Sequence, residues 1–313
     1  MTILNFGPVA QWLEQGTHNP LVVGSSPTGP TTGRYFIRVE LFSMANSVFR
    51  QLLCPLGLYP GKTTHASRLQ KLVEAMRIQP TEQNLIRVGP DHDGGYLLPD
   101  DLEGLEYCFS PGVASCSDFE MQLAERGFRV FLADRSVDSP PLQHPNFYFQ
   151  KKFIAASNCE AAGVMSLDTW YHEMVGPVSP ESPEALLQMD IEGCEYEVLH
   201  SLSDTLLSRF RIVIIEFHKL NQLADRFAFS LMAPAIHKLL RSHVVVHIHP
   251  NNYRRALAIH GVEIPANMEI TFLRRDRLKA TDKVNAYPNP LDRPCVAAKP
   301  ELVLPRCWYS SLE

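Results

Sequence analysis

Leu186-Leu187-Gln188-Met189-Asp190-Ile191-Glu192-Gly193-Cys194-Glu195 decides how the rest of the chain is read. A short apolar run fits a buried strand, here Leu186 to Ile191, and a helix follows from Glu195 to Leu202. Three carboxylates, Asp190, Glu192 and Glu195, crowd around Gly193 where the strand gives way to the helix. Carboxylates this close repel one another unless they are protonated, hydrogen-bonded or metal-bound. Glu195 as a helix cap and Asp190 as a structural residue are the ordinary alternatives, and both leave the cluster unexplained.

Outward from this point the same alternation repeats. Upstream, strands are expected at Leu85 to Val88, Tyr107 to Ser110, Val130 to Ala133 and Phe147 to Phe149, with helices at Ser67 to Met76, Asp118 to Arg126 and from Ser166. Downstream come the apolar strand Arg211 to Phe217, a helix near Phe227 to Arg241, and strands at Val244 to His249 and Glu269 to Leu273. Strands alternating with helices imply a parallel sheet with right-handed crossovers. The last two strands, joined without an obvious helix, predict an antiparallel edge hairpin. Asp93-Gly94-Gly95-Tyr96 reads as a loop whose glycines let the backbone turn sharply, and the proline-rich tail, 286–313, as an irregular strap.

With 313 residues, 45% hydrophobic, and a formal charge of -5, the chain has material for one α/β domain. No polybasic run marks it as a nucleic-acid binder, and no apolar run approaches the ~20 residues of a membrane span. Seven scattered cysteines, none in a Cys-x-x-Cys pair, together with the absence of a signal-peptide pattern, predict a cytoplasmic protein.

Residues 1–43 are expected to be a mistranslated upstream segment rather than part of the fold. Val23-Gly24-Ser25-Ser26-Pro27-Thr28 can be back-translated into the stem and loop of a transfer-RNA T arm, and Gly7-Pro8-Val9 into a strand of the acceptor stem. Thr17-His18-Asn19 can supply an anticodon loop. Codons in the gene that fail to pair would overturn this expectation. Residues 44–84 then form a helical lead-in, and 85–285 the main domain.

In open α/β sheets, ligands bind beyond the carboxyl ends of the strands. The first such loop here runs from Phe109 to Glu120. Gly112 allows close approach of a ligand, Ser110 and Ser115 flank it, and Ser115, Ser117 and Asp118 are candidate helix caps; an ordinary strand-to-helix turn is the alternative. Asp134 ends the next strand ~22 residues after Gly112, the interval at which a carboxylate accepts two ribose hydroxyls. It could equally cap a turn. His247 and His249 alternate on one strand and, with Asn251 and Asn252, offer polar contacts or satisfied structural positions. Trp170, Tyr171 and His172 suit either a sugar-stacking platform or the apolar face of a helix.

Asp190-Ile191-Glu192-Gly193-Cys194-Glu195 after an apolar strand resembles the D-[IV]-E-G-x-E signature of FkbM-type methyltransferases, and Ser166-Leu167-Asp168 resembles that family's S/T-L-D element. The resemblance extends through Asp93 to Tyr96, Phe109 to Glu120, Asp134, Glu216-Phe217-His218, His247 to Asn252 and Glu269 to Phe272. Ser110 to Ala114 departs from it, being poor in glycine. Membership implies a Rossmann-like class I fold, S-adenosylmethionine as cofactor, and methyl transfer to a hydroxyl of a small molecule or glycan. The candidate cofactor residues are then Gly94, Gly95, Ser110, Gly112, Ser115, Asp134 and Asp168, and the candidate catalytic residues Asp190, Glu192 and His218. Asp190, Glu216 and His218 form an oxygen-rich set suited to Mg²⁺ or Mn²⁺.

Two other classes compete. A metal-dependent hydrolase would use Asp190, Glu192, Glu216, His218 and His249, and would bind metal without affinity for S-adenosylmethionine. A non-catalytic Rossmann-like binding protein fits the degraded glycine loop. A nicotinamide dehydrogenase is disfavoured because G-x-G-x-x-G is absent.

Overall fold

The computed structural model describes residues 61–113, 115–281 and 286–310. The expectations for residues 1–43 and for the start of the helical lead-in lie outside the described residues. The elements run α1 (Ala66–Ala75), β1 (Leu85–Val88), β2 (Tyr96–Pro99), β3 (Tyr107–Pro111), α2 (Asp118–Glu125), β4 (Arg129–Ala133), β5 (Phe147–Gln150), β6 (Phe153–Ala155) and β7 (Val164–Ser166). Then follow α3 (Leu167–Val175), β8 (Ala185–Met189), α4 (Glu195–Ser201), α5 (Asp204–Leu207), β9 (Phe210–Phe217), α6 (Arg226–Ser242), β10 (His243–Pro250), β11 (Leu257–Ile259), β12 (Val262–Ile264) and β13 (Met268–Arg274).

Among the described residues, seven strands form the main sheet in the order β10-β13-β9-β8-β3-β4-β5. Neighbours from β9 to β5 pair in parallel, whereas β13 runs antiparallel to both β9 and β10. The last of the described strands is therefore inserted inside the sheet, and β10 forms the edge. Elements not expected from the sequence are small: β2, which pairs with β1, the short pairs β6-β7 and β11-β12, and the one-turn helix α5.

The periodicity of the strands builds a core on each face. Leu187 and Met189 of β8 and Val213, Ile215 and Phe217 of β9 join one cluster, packed by Leu69, Leu72 and Val73 of α1, Trp170 of α3 and Ile236 of α6. Leu186, Ile212 and Ile214 point the other way, toward Phe119 and Leu123 of α2 and toward Val88, Tyr96 and Leu98 of β1 and β2. Each fully buried aliphatic side chain contributes roughly 1.5–3 kcal/mol. Helix starts are set locally: Asp225 accepts from the N–H groups of Phe227 and Ala228 at the head of α6 (both 2.9 Å), and Ser166 accepts from Thr169 at the head of α3.

After β13 the chain crosses the domain as an irregular segment. It is fastened by Asp292 to His247 (2.9 Å), by Glu301 to His249 (2.6 Å), and by the Asn252 side chain to backbone at Val296, Lys299 and Pro300. Trp308, fully buried, donates to Glu263 O at 2.8 Å. Among the described residues no helix is long and apolar enough to cross a membrane.

Candidate active site

Cross-strand register explains why this site is polar. His249 of β10 stands opposite Glu269 of β13, which stands opposite Glu216 of β9. Directly opposed residues share a face, so these three side chains form a row, and Asp190 extends it one residue beyond β8, whose Met189 pairs with Ile215. All four lie on the face that carries Gln188 and Ile214, at the end of the parallel strands where ligands bind in open sheets.

The turn after β8 is built around two residues of positive φ, Glu192 (59°) and Gly193 (110°). Left-handed backbone is unfavourable for a residue with a Cβ, and it turns the Glu192 carboxylate out toward solvent, where its side chain is 89% exposed. Glu195 does the opposite. Its fully buried carboxylate folds back to accept from Gly193 N–H (2.9 Å) and from His218 Nδ1 (3.0 Å). A carboxylate can only accept, so His218 Nδ1 carries the proton. Nε2 then faces Glu192 (3.5 Å), Asp190 (3.8 Å) and Glu216 (3.8 Å).

The electrostatics follow from that crowding. Burial, and then the neighbouring Glu216, push Asp190 well above the usual carboxylate range. Burial and Glu269 push Glu216 to about 7. Burial by itself would lower His218, but its hydrogen bond to Glu195 and the charges of Glu216, Glu195 and Asp190 outweigh it and hold the imidazole at about 9. Asp190 Oδ1 is buried with no hydrogen-bond partner. A buried oxygen left this way is a group poised for a proton, a donor or a cation. Asp190, Glu216 and His218 each offer a ligand atom, all within 4.8 Å of one another.

Gly112 is required by packing. Its φ is +95°, and a Cβ there would lie 1.6 Å from the Asp190 carbonyl oxygen. Gly112 N–H donates to Ala133 O at 3.0 Å, and Asp190 N–H to Pro111 O at 3.3 Å. The first loop is thus locked onto the turn that carries Asp190. Gly94, at φ +84°, is likewise set against Cys116 of the same loop, 3.2 Å from its ideal Cβ position, whereas Gly95 packs on the Pro90 carbonyl and the Arg87 guanidinium.

Several expected site residues have other partners. Ser110 is buried and faces inward, bonded to Glu120 and, at 2.6 Å, to Gln188 Oε1, while Gln188 Nε2 donates to Tyr96 Oη at 3.1 Å. Its side chain belongs to this internal chain of polar groups. Ser115 is exposed. Ser117 precedes α2 but its hydroxyl accepts from Leu142 N–H instead of capping the helix. Asp134 follows β4 beside the Gly112 loop, and its Oδ1 accepts from Ser136 N–H (2.7 Å) and hydroxyl (2.6 Å), the turn-capping alternative for that oxygen. Asp168 places both carboxylate oxygens on Ser203, accepting from its N–H at 2.9 Å and from its hydroxyl, which gives it a structural role in place of the expected cofactor contact.

The aromatic platform is also corrected. Trp170 and Tyr171 are buried against Phe109, at 5.1 Å edge-on and 5.3 Å stacked, whereas His172 is exposed. Asn251 donates to Glu216 at 3.1 Å and so belongs to the site, but Asn252 and His247 hold the C-terminal segment. Asn267, which donates to Glu216 at 3.4 Å, has no sequence signal, while Tyr96 and Glu269 fall within stretches that resemble the family but take no role from it. No local pattern gives Glu269 its partner, because strand register brings it to Glu216.

Comparison with known proteins gives one family match. Residues 156–243 match the methyltransferase FkbM domain, a span that includes the Asp190–Glu195 turn and His218. No curated protein matches the sequence. Solved structures with similarity include 23S rRNA methyltransferase ErmE, at 8% identity and a TM-score of 0.31, covering 70% of this chain and 72% of that one. A second is a point mutant of the 16S rRNA (adenine(1408)-N(1))-methyltransferase from Catenulisporales acidiphilia, at 12% identity and a TM-score of 0.27, covering 64% and 99%.

Proposed function

We propose that this protein is an S-adenosylmethionine-dependent methyltransferase of Rossmann-like fold that methylates a hydroxyl of a sugar, glycan or related small molecule. The observation that carries the reading is Asp190. Its unpartnered, buried Oδ1 stands at the end of the central strand β8, one carbonyl away from the Gly112 loop and 3.8 Å from His218 Nε2. The FkbM match over the same turn supports the family assignment.

S-adenosylmethionine, when bound, supplies an electrophilic methyl on a sulfonium. The chain's own task is then alignment and proton removal. Asp190 is the residue that would take the proton of the acceptor hydroxyl, whose oxygen would receive the methyl. A carboxylate raised by burial is a stronger base than one in water. His218, oriented by Glu195 and holding its Nδ1 proton, and Asn251 with Glu216 then position the acceptor hydroxyls. Gly94, Gly95, Gly112, Ser115 and Asp134 are assigned to the cofactor, Asp190, Glu192 and His218 to the acceptor side. Asp190, Glu216 and His218 are the residues that would hold Mg²⁺ or Mn²⁺, which lowers the pKa of an acceptor hydroxyl.

The test is isothermal titration of the full chain with S-adenosylmethionine and S-adenosylhomocysteine, beside Asp134→Ala, followed by a screen of hydroxylated acceptors. Micromolar binding weakened by the substitution, with turnover lost in Asp190→Asn, is the expected result. Metal binding by a folded sample with no affinity for either cofactor form would overturn it in favour of the hydrolase reading.

A further inference from the structure

A second ligand set stands at the outer end of the polar row, where the mechanism above uses nothing. His249 Nδ1 lies 2.9 Å from Glu269 Oε2 and 4.0 Å from Cys295 Sγ, and the sulfur lies 3.5 Å from Glu269 Oε1. Asp93, an exposed residue from the loop before β2, contacts the Cys295 thiol and forms a carboxylate cluster with Glu269 and Glu216. The four residues come from four separate parts of the chain. His249 and Glu269 are buried, and Cys295 is half-buried.

We propose that His249, Glu269, Cys295 and Asp93 form a structural zinc site that staples the C-terminal segment to the edge of the sheet. The donor types decide the metal class. A thiolate, an imidazole and carboxylates suit Zn²⁺ and disfavour Mg²⁺ or Ca²⁺, which take oxygen ligands. Geometry agrees: Zn–S of about 2.3 Å and Zn–N or Zn–O of about 2.0–2.1 Å in a tetrahedron put ligand atoms roughly 3.3–3.6 Å apart. The three measured separations, 2.9, 3.5 and 4.0 Å, bracket that spacing. The outer shell is also in place. Glu301 holds His249 Nε2 at 2.6 Å, the carboxylate–histidine arrangement that fixes a ligating ring and directs its other nitrogen at the metal.

Such an ion would tie together the loop before β2, the β10–β13 pair and the segment after residue 286, three parts of the chain that otherwise meet through side-chain hydrogen bonds. The proposal does not depend on methyl transfer. The metal-free alternative is an imidazolium held between Glu269 and Glu301.

The experiment loads the full chain with Zn²⁺, removes excess by gel filtration and measures metal by mass spectrometry, with Co²⁺ loaded in parallel. The expected result is one zinc per chain, lost in both Cys295→Ser and His249→Gln but kept in His218→Ala, which cuts the neighbouring Asp190 cluster. Cobalt should give a sulfur-to-metal charge-transfer band in the wild type, a readout that does not require any variant to fold. A folded wild type that retains no zinc, or zinc whose amount is unchanged in Cys295→Ser and whose cobalt form lacks that band, overturns the site and leaves the imidazolium.

Discussion

Replacing Glu120 by Gln isolates a single buried proton. Glu120 sits fully inside α2's contact with β3 and is pushed by burial from 4.5 to about 7. Ser110 has one hydroxyl proton and two oxygen neighbours, Glu120 Oε1 and Gln188 Oε1, so the chain of bonds closes only when the Glu120 carboxyl is itself the donor. A carboxyl whose folded pKa lies above its unfolded value stabilises the fold below the unfolded pKa. That contribution is lost as pH rises through the folded pKa. From 4.5 to about 7, at about 1.4 kcal/mol per unit, the wild type should lose roughly 3 kcal/mol between pH 4 and pH 8 from this group. Gln at position 120 keeps a donor to Ser110 and never ionises. Urea denaturation at pH 4 and pH 8 should therefore find the two proteins nearly equal at the lower pH and the variant more stable at the higher. An equal gap at both values would show that Glu120 is not the titrating group, and the reasoning about the buried chain would fall with it.

Gly112→Ala should destabilise the protein by roughly 2–5 kcal/mol, combining left-handed backbone with a backbone clash, and calorimetry would read this as a lower Tm. Trp170→Ala should cost about 3–5 kcal/mol through the cavity it leaves while S-adenosylhomocysteine affinity in the folded fraction is unchanged; a loss of acceptor binding at unaltered stability would restore the platform. Glu195→Gln removes a charge-assisted hydrogen bond of about 1.5–3 kcal/mol, so NMR of metal-free protein should find the His218 titration moved down from about 9 by about one to two pH units. An unmoved midpoint would confine Glu195 to supporting Gly193.

Much of this fold is legible because its strands are long apolar runs: β3, β4, β8, β9, β10 and β13 all lie within two residues of where periodicity puts them. The missed strands fail for a physical reason. β2 follows a glycine pair and is four residues long, and β6, β7, β11 and β12 are three residues each, too short for any period to show. In the site, Asp190, Glu216 and His218 are brought together as the motif suggests, because two adjacent strand ends carry them. Cys295 is invisible in the sequence, and Glu269, although it opens a stretch that resembles the family, shows no partner there. Their place depends on β13 entering between β9 and β10 and on where the C-terminal segment crosses, and neither is encoded locally. Asp168 and Trp170 mislead in the opposite sense, since a helix start beside a sheet supplies buried partners for both.

The position of β13 also sets a timetable. Glu216 and His249 belong to strands that never pair with each other, and the strand between them is the last of the sheet to leave the ribosome. Until residues near 274 have been made, β9 presents an open and largely apolar edge, and long-range pairing of this kind is slow. The nascent chain therefore passes through a stage in which five parallel strands can assemble while the acidic row is only half built. Synthesis stalled there would leave a sticky sheet with an incomplete acidic row, and chaperone dependence should be concentrated in that interval.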